Sequence, residues 1–123
     1  MIGAVWELAE ASGTGCTVWS ERVPIRAATR AICAALGADP LRLIASGALL
    51  IACPDGARMA SGLVAGGVAA AVIGELTADP RRRELVWPDG RVEPIASVGR
   101  DELYRLLARF ARSGGRGSGV RGR

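Results

Sequence analysis

Ser46, Gly47 and Glu75 are the residues of this chain whose types and settings suit ligand chemistry. Ser46-Gly47 stands between a proline-started helical turn, Asp39-Pro40-Leu41-Arg42, and the apolar run Ala48–Cys53, which Pro54 ends. A glycine break of this kind leaves backbone N–H groups free to face a cleft, where they suit an anionic metabolite. It is equally explained as tight-turn geometry. Glu75 follows the apolar run Ala69–Gly74, and a carboxylate at a strand end either reaches a metal or substrate or is simply solvated. Ser12-Gly13-Thr14-Gly15 has the look of a phosphate loop, but such a loop needs G-x-x-x-x-G-K-[ST] and the chain has no Lys. Those four residues read instead as a helix stop. Arg81-Arg82-Arg83 reads as a solvated turn or an anion patch, and Asp101-Glu102 as carboxylates complementing the dipole of a final helix.

The ionisable inventory narrows the chemistry further. All 16 cations are Arg and His is absent, so neither an imidazole base nor a Lys nucleophile exists in this chain. Ser-His-Asp, Cys-His and histidine-ligated metal sites are excluded within one polypeptide. Neither a catalytic residue nor a metal ligand is assigned. Cys16, Cys33 and Cys53 form no C-x-x-C pair, and an odd count without a signal peptide fits a reducing cytoplasm. Cys33 in a helical pattern and Cys53 in a strand pattern read as small buried hydrophobes.

The net charge of +4 is unevenly placed. Acids and arginines balance over residues 1–111, and Arg112, Arg116, Arg121 and Arg123 supply the excess with no acid among them. Residues 112–123 read as a disordered, solvated Arg/Gly-rich tail, which makes nucleic acid an unlikely partner. The uncharged run Met59–Gly74 falls short of the roughly twenty residues needed to cross a bilayer, and four glycines interrupt it, so no membrane span is expected.

These residues must be positioned by a small set of elements. Ile2, Val5, Trp6 and Ala9 recur at helical spacing and stop at Ser12-Gly13. Because no N-cap precedes this helix, the chain reads as starting inside a larger protein. Cys16–Ser20 alternates as a strand. Pro24 precedes a helix over Ile25–Leu36, with Gly37 suited to its C-terminal cap. Asp55-Gly56 leads into a helix near Ala57–Val64, and Ala69–Thr77 reads as a strand whose Gly74 marks a bulge or close approach. Glu84–Trp87 and Arg91–Ile95 flank Pro88-Asp89-Gly90 as a hairpin. Arg100–Arg112 carries Leu103, Leu106, Leu107 and Phe110 on one helical face. Strands near 16–22, 48–53 and 69–77 are expected at the centre of a mixed sheet covered by helices, an α+β domain over 1–111.

Four of these segments resemble one family. Ile2–Gly13, Val23-Pro24-Ile25-Arg26, Gly37–Pro54 and Ala71–Thr77 are similar in order and spacing to the C-terminal domain of AIR-synthase-related, PurM-like proteins, nearest the hydrogenase-maturation HypE-like branch. The resemblance implies a PurM C-terminal-domain-like fold with ferredoxin-like elements. It implies the substrate side of an ATP-dependent synthase or dehydratase, in which ATP and Mg²⁺ belong to an N-terminal domain. This domain alone is expected to bind no cofactor and to show no activity in isolation. Its expected partners are a second copy, as a homodimer, or a separate PurM-like N-terminal ATP-binding domain. Ala45-Ser46-Gly47 stands where hydrogenase-maturation members carry Asn-Glu-Gly, and the chain lacks their reactive Cys tail. Both departures weigh against carbamoyl-thiol dehydration by this polypeptide. The alternative expectation is a small binding or scaffold module for an anionic metabolite.

Overall fold

A computed structural model describes residues 1–97 and 102–113. Helix α1 spans Ile2–Ser12 and strand β1 spans Gly15–Trp19, followed by a 3₁₀ turn at Ser20–Arg22. Helix α2 spans Ala27–Leu36, a second 3₁₀ turn Pro40–Arg42, and helix α3 Gly56–Ala65. Strands β2, β3 and β4 span Gly74–Thr77, Arg83–Val86 and Val92–Pro94, and helix α4 spans Glu102–Ser113. Residues 114–123, most of the expected tail, lie outside the described residues; Arg112 belongs to α4.

Local chemistry sets the helix ends. Gly13 closes α1 with φ of 65°, and the N–H of Thr14 reaches back to the Ala9 carbonyl at 3.0 Å. Gly37 closes α2 in the same way, with Ala38 N–H bonding the Cys33 carbonyl at 2.9 Å. These are left-handed caps that recover carbonyls the helix leaves unpaired. Asp39 and Asp55 cap the N-termini of the second 3₁₀ turn and of α3, accepting from Leu41 N–H and Arg58 N–H, each at 2.9 Å.

The sheet order is β2-β1-β3-β4 and its pairing is mixed. β1 runs antiparallel to β2 and parallel to β3, while β3 and β4 form the expected hairpin. Gly90 takes φ of 82° at its turn, where Trp87 N–H bonds the Arg91 carbonyl at 2.9 Å. Pro94 sits on the edge strand β4, where its missing donor costs least. One face of the sheet packs on α1. Ile2, Val5 and Ala9 meet Cys16, Val18 and Leu85 in a single buried cluster. Arg83 lies at its margin, donating to Glu10 Oε2 at 2.6 Å with its guanidinium over the Trp6 ring.

Two expected strands are corrected. Residues 48–53 form no strand: the Ala48 N–H is spent on the Ala45 carbonyl, and Leu49 is 84% exposed. An apolar, β-favouring run becomes a strand only against a partner. The expected strand over 69–77 shortens to Gly74–Thr77, with Ile73 adding one bond from Trp19 N–H at 2.9 Å. Close approach does explain Gly74, since a Cβ there would lie 2.3 Å from the Thr17 carbonyl oxygen. The apolar stripes of α2 and α4 also bury less than their spacing suggests. In α2 only Cys33 is fully buried, and in α4 Leu106 is buried while Leu107 and Phe110 stay half exposed. Among the described residues, no helix is long and apolar enough to cross a membrane.

Candidate functional site

The Ser46-Gly47 segment is a tight turn. Ala48 N–H bonds the Ala45 carbonyl at 3.1 Å and Gly47 takes φ of 82°, a conformation that disfavours side chains even though a Cβ would meet nothing within 4 Å. Ser46 and Gly47 are exposed, and no hydrogen bond or ion pair joins them to Glu75.

Glu75 has different neighbours. It pairs with Thr17 of β1, and Thr17 pairs in turn with Glu84 of β3. Directly paired residues project from the same face of a sheet. Cys16, Val18 and Leu85 point to α1, so alternation puts Glu75, Thr17 and Glu84 on the opposite face as one row across three strands. Thr17 is only 4% exposed, and its Oγ1 has no hydrogen-bond partner. Leaving a buried hydroxyl unpaired costs about 1–3 kcal/mol.

The ends of this row are also defined. Gly15 lies on the same face as Thr17, beneath the turn that follows β2. A Cβ on Gly15 would lie 2.0 Å from the Asp79 carbonyl oxygen and 2.4 Å from that of Arg82. The backbone of residues 79–82 thus closes one end. Trp19 lies at the other, with the Arg22 guanidinium 4.2 Å from its ring centroid. Arg82 Nε donates to Glu84 Oε2 at 2.9 Å. That bond and the Glu84 charge hold the Arg82 proton more tightly than usual, with smaller contributions from Glu75 and Asp79. The face is a hydroxyl floor between two carboxylates, with one resident guanidinium.

Sequence reasoning singled out Glu75 without its neighbours Thr17 and Glu84, because their proximity follows from a register that no local pattern records. The triple Arg divides between surfaces: Arg82 serves this row, and Arg83 serves α1. The cysteines are free, with Cys16 and Cys33 buried and Cys53 half-buried. Burial pushes the Cys16 thiol up, against a smaller lowering by Arg83, which keeps it protonated and unreactive. Cys53 lines an open groove with Pro54, Arg58, Met59 and Leu63 beside the start of α3.

Among the described residues no three of His, Cys, Asp and Glu are grouped to bind a metal ion.

Comparison with known proteins agrees with this architecture. The family model described as AIR synthase related protein, C-terminal domain, matches residues 1–86, from α1 through the last residue of β3. A curated relative, Carbamoyl dehydratase HypE of Azotobacter vinelandii, is 38% identical over 107 residues, covering 81% of this chain. The chain spans 31% of that relative's length. No solved structure matches the chain. The helix-packed mixed sheet, the family model and the HypE relative agree: this chain belongs to the AIR synthase related family as a C-terminal domain close to HypE.

Proposed function

We propose that this chain is the substrate-side domain of an ATP-dependent, HypE-like protein of the hydrogenase-maturation type, cytoplasmic and without catalysis of its own. An N-terminal ATP-binding domain, in the same or a separate polypeptide, supplies ATP and Mg²⁺ in this reading. The observation that carries it is a series of exposed apolar side chains between the second 3₁₀ turn and β2. Ile44, Leu49, Ile51, Met59, Val64 and Val72 are all exposed, and α3 buries none of its residues. Exposed apolar side chains that join into one patch mark an interface. A docked ATP-binding domain or a second copy of the chain would cover it, and ligand contacts at Ser46, Gly47 and Glu75 would line the resulting cleft.

The division of labour between domains is tested with two samples. The purified chain is incubated with Mg²⁺ and ATP, alone and with the remaining N-terminal portion of the Azotobacter relative. No hydrolysis by the chain alone and a stable complex by light scattering are expected. Hydrolysis by the isolated, contaminant-free chain would overturn the reading.

A further inference from the structure

We propose that α4 and the arginine-rich residues after it seat on the surface of an anionic lipid bilayer. The helix is fixed to the domain by one side. Leu106 is buried, and Arg105 donates to the Gly37 carbonyl at the end of α2 at 3.4 Å. Arg109 Nη1 lies 3.9 Å from where a Gly37 Cβ would stand. At about 100° per residue, Tyr104, Leu107, Ala108 and Ala111 stand roughly 100–160° around the helix from Leu106. These four recur at i, i+3, i+4 and i+7, and all are exposed. A helix of a globular domain normally turns such a stripe inward. Here α4 turns it away from the body: Tyr104 is 61% and Leu107 55% exposed, and Phe110 at its edge is half exposed.

Charge identifies what covers this stripe. Arg105, Arg109 and Arg112 form a second stripe at i, i+4 and i+7, beside the apolar one. Residues 100–123 hold seven of the 16 arginines and two of the 12 acids, whereas residues 1–99 carry one acid in excess. All of the chain's net positive charge is therefore gathered on this helix and the Gly/Ser/Arg-rich residues beside it. A helix with Tyr, Leu and Phe on one side and arginines beside them suits the headgroup layer of a membrane. A polybasic segment supplies the second attachment that one small apolar face needs. Tyrosine fits that depth, with its ring in the apolar layer and its hydroxyl in water. A nucleic acid would engage the arginines and leave the apolar stripe in water, which makes it the poorer match. The helix lies beyond residues 1–86, which the family model matches, and apart in sequence from the exposed apolar residues 44–72. This surface and the ATP-domain reading can each fail without the other.

The test is co-sedimentation of the full chain with vesicles of equal parts phosphatidylcholine and phosphatidylglycerol, run beside vesicles of phosphatidylcholine alone. Each is measured at about 0.1 M and about 1 M salt, where the screening length falls from about 10 Å to about 3 Å. Saturable binding to the anionic vesicles is expected at the lower salt, at least tenfold weaker on the neutral vesicles and at the higher salt. Leu107→Glu, an exposed change, should weaken binding at least tenfold with Tm unchanged. Arg112→Gln should weaken it about fivefold, the contribution of one arginine near an anionic leaflet. Changing Arg116, Arg121 and Arg123 together to Gln should weaken it at least tenfold. Val68→Glu makes the same charge change at an exposed site outside α4 and should leave binding within twofold. Absence of saturable binding, equal binding to neutral vesicles, or a Leu107→Glu effect no larger than that of Val68→Glu would overturn the proposal. Duplex RNA bound as tightly as the anionic vesicles, and equally well by Leu107→Glu, would overturn the lipid assignment.

Discussion

Replacing Gly15 with alanine tests the architecture at its tightest point. The added methyl would lie 2.0 Å from the Asp79 carbonyl oxygen, 2.3 Å from Thr77 Oγ1 and 2.4 Å from the Arg82 carbonyl oxygen. Two of these three are backbone atoms that cannot rotate away, so the turn after β2 must lift off the sheet. Lifting it pulls on the 2.7 Å bond from Cys16 N–H to the Arg82 carbonyl, which ties β1 to the start of β3. Overpacking of this kind costs typically 1–3 kcal/mol, and a lost backbone hydrogen bond adds about 1 kcal/mol. A total near 3 kcal/mol is a large part of the stability of a small domain. In urea, with a slope of about 1.5 kcal/mol per molar, the midpoint should fall by about 2 M with the slope unchanged. Gly62→Ala is the matched control: it lies in α3 with nothing within 4 Å of a new Cβ, and should raise stability by about 0.5–1 kcal/mol. A Gly15→Ala midpoint within 0.3 M of the parent would show that the turn does not press on β1 as described.

Three further outcomes follow from the same structure. Gly47→Ala should cost about 1–2 kcal/mol from the left-handed backbone alone, measured as a lowered Tm with unchanged near-UV circular dichroism. Leu85→Ala should cost about 2–5 kcal/mol, read as a urea midpoint shift, because it empties the centre of the α1–sheet cluster. For Cys16 the folded state holds the thiol proton more tightly than the unfolded chain, so its stabilising contribution is complete below the unfolded thiol's pKa. That contribution should be lost as pH rises through the folded value, and Cys16→Ser should flatten the alkaline decline in urea midpoint.

Elements fixed by neighbouring residues are legible in the amino-acid sequence itself. Gly13 and Gly37 announce the ends of α1 and α2, Asp55 announces α3, and Asp89-Gly90 announces the hairpin. Each is a local stereochemical requirement. Pairing across distance leaves no such local mark. The run Ala48–Cys53 has the composition of a strand, but a strand exists only by its partners, and the structure gives this run none. The row of Glu75, Thr17 and Glu84 fails to show for the same reason. Thr17 looks like one more β-favouring residue until register sets it between two carboxylates. Family resemblance supplied the α+β architecture that local rules could only bracket.

The placement of β1 inside the sheet has a consequence for how the chain is made. This strand leaves the ribosome well ahead of its partners, β2 and β3, which follow more than fifty residues later. Closing a loop of about sixty residues costs roughly 3–4 kcal/mol plus a constant before any bond across it is formed. Until Val86 has been synthesised, α1 and β1 have no completed sheet to join, and their apolar faces stay open to other chains. Folding must wait on β3, so a ribosome that stalls before that strand releases an aggregation-prone product.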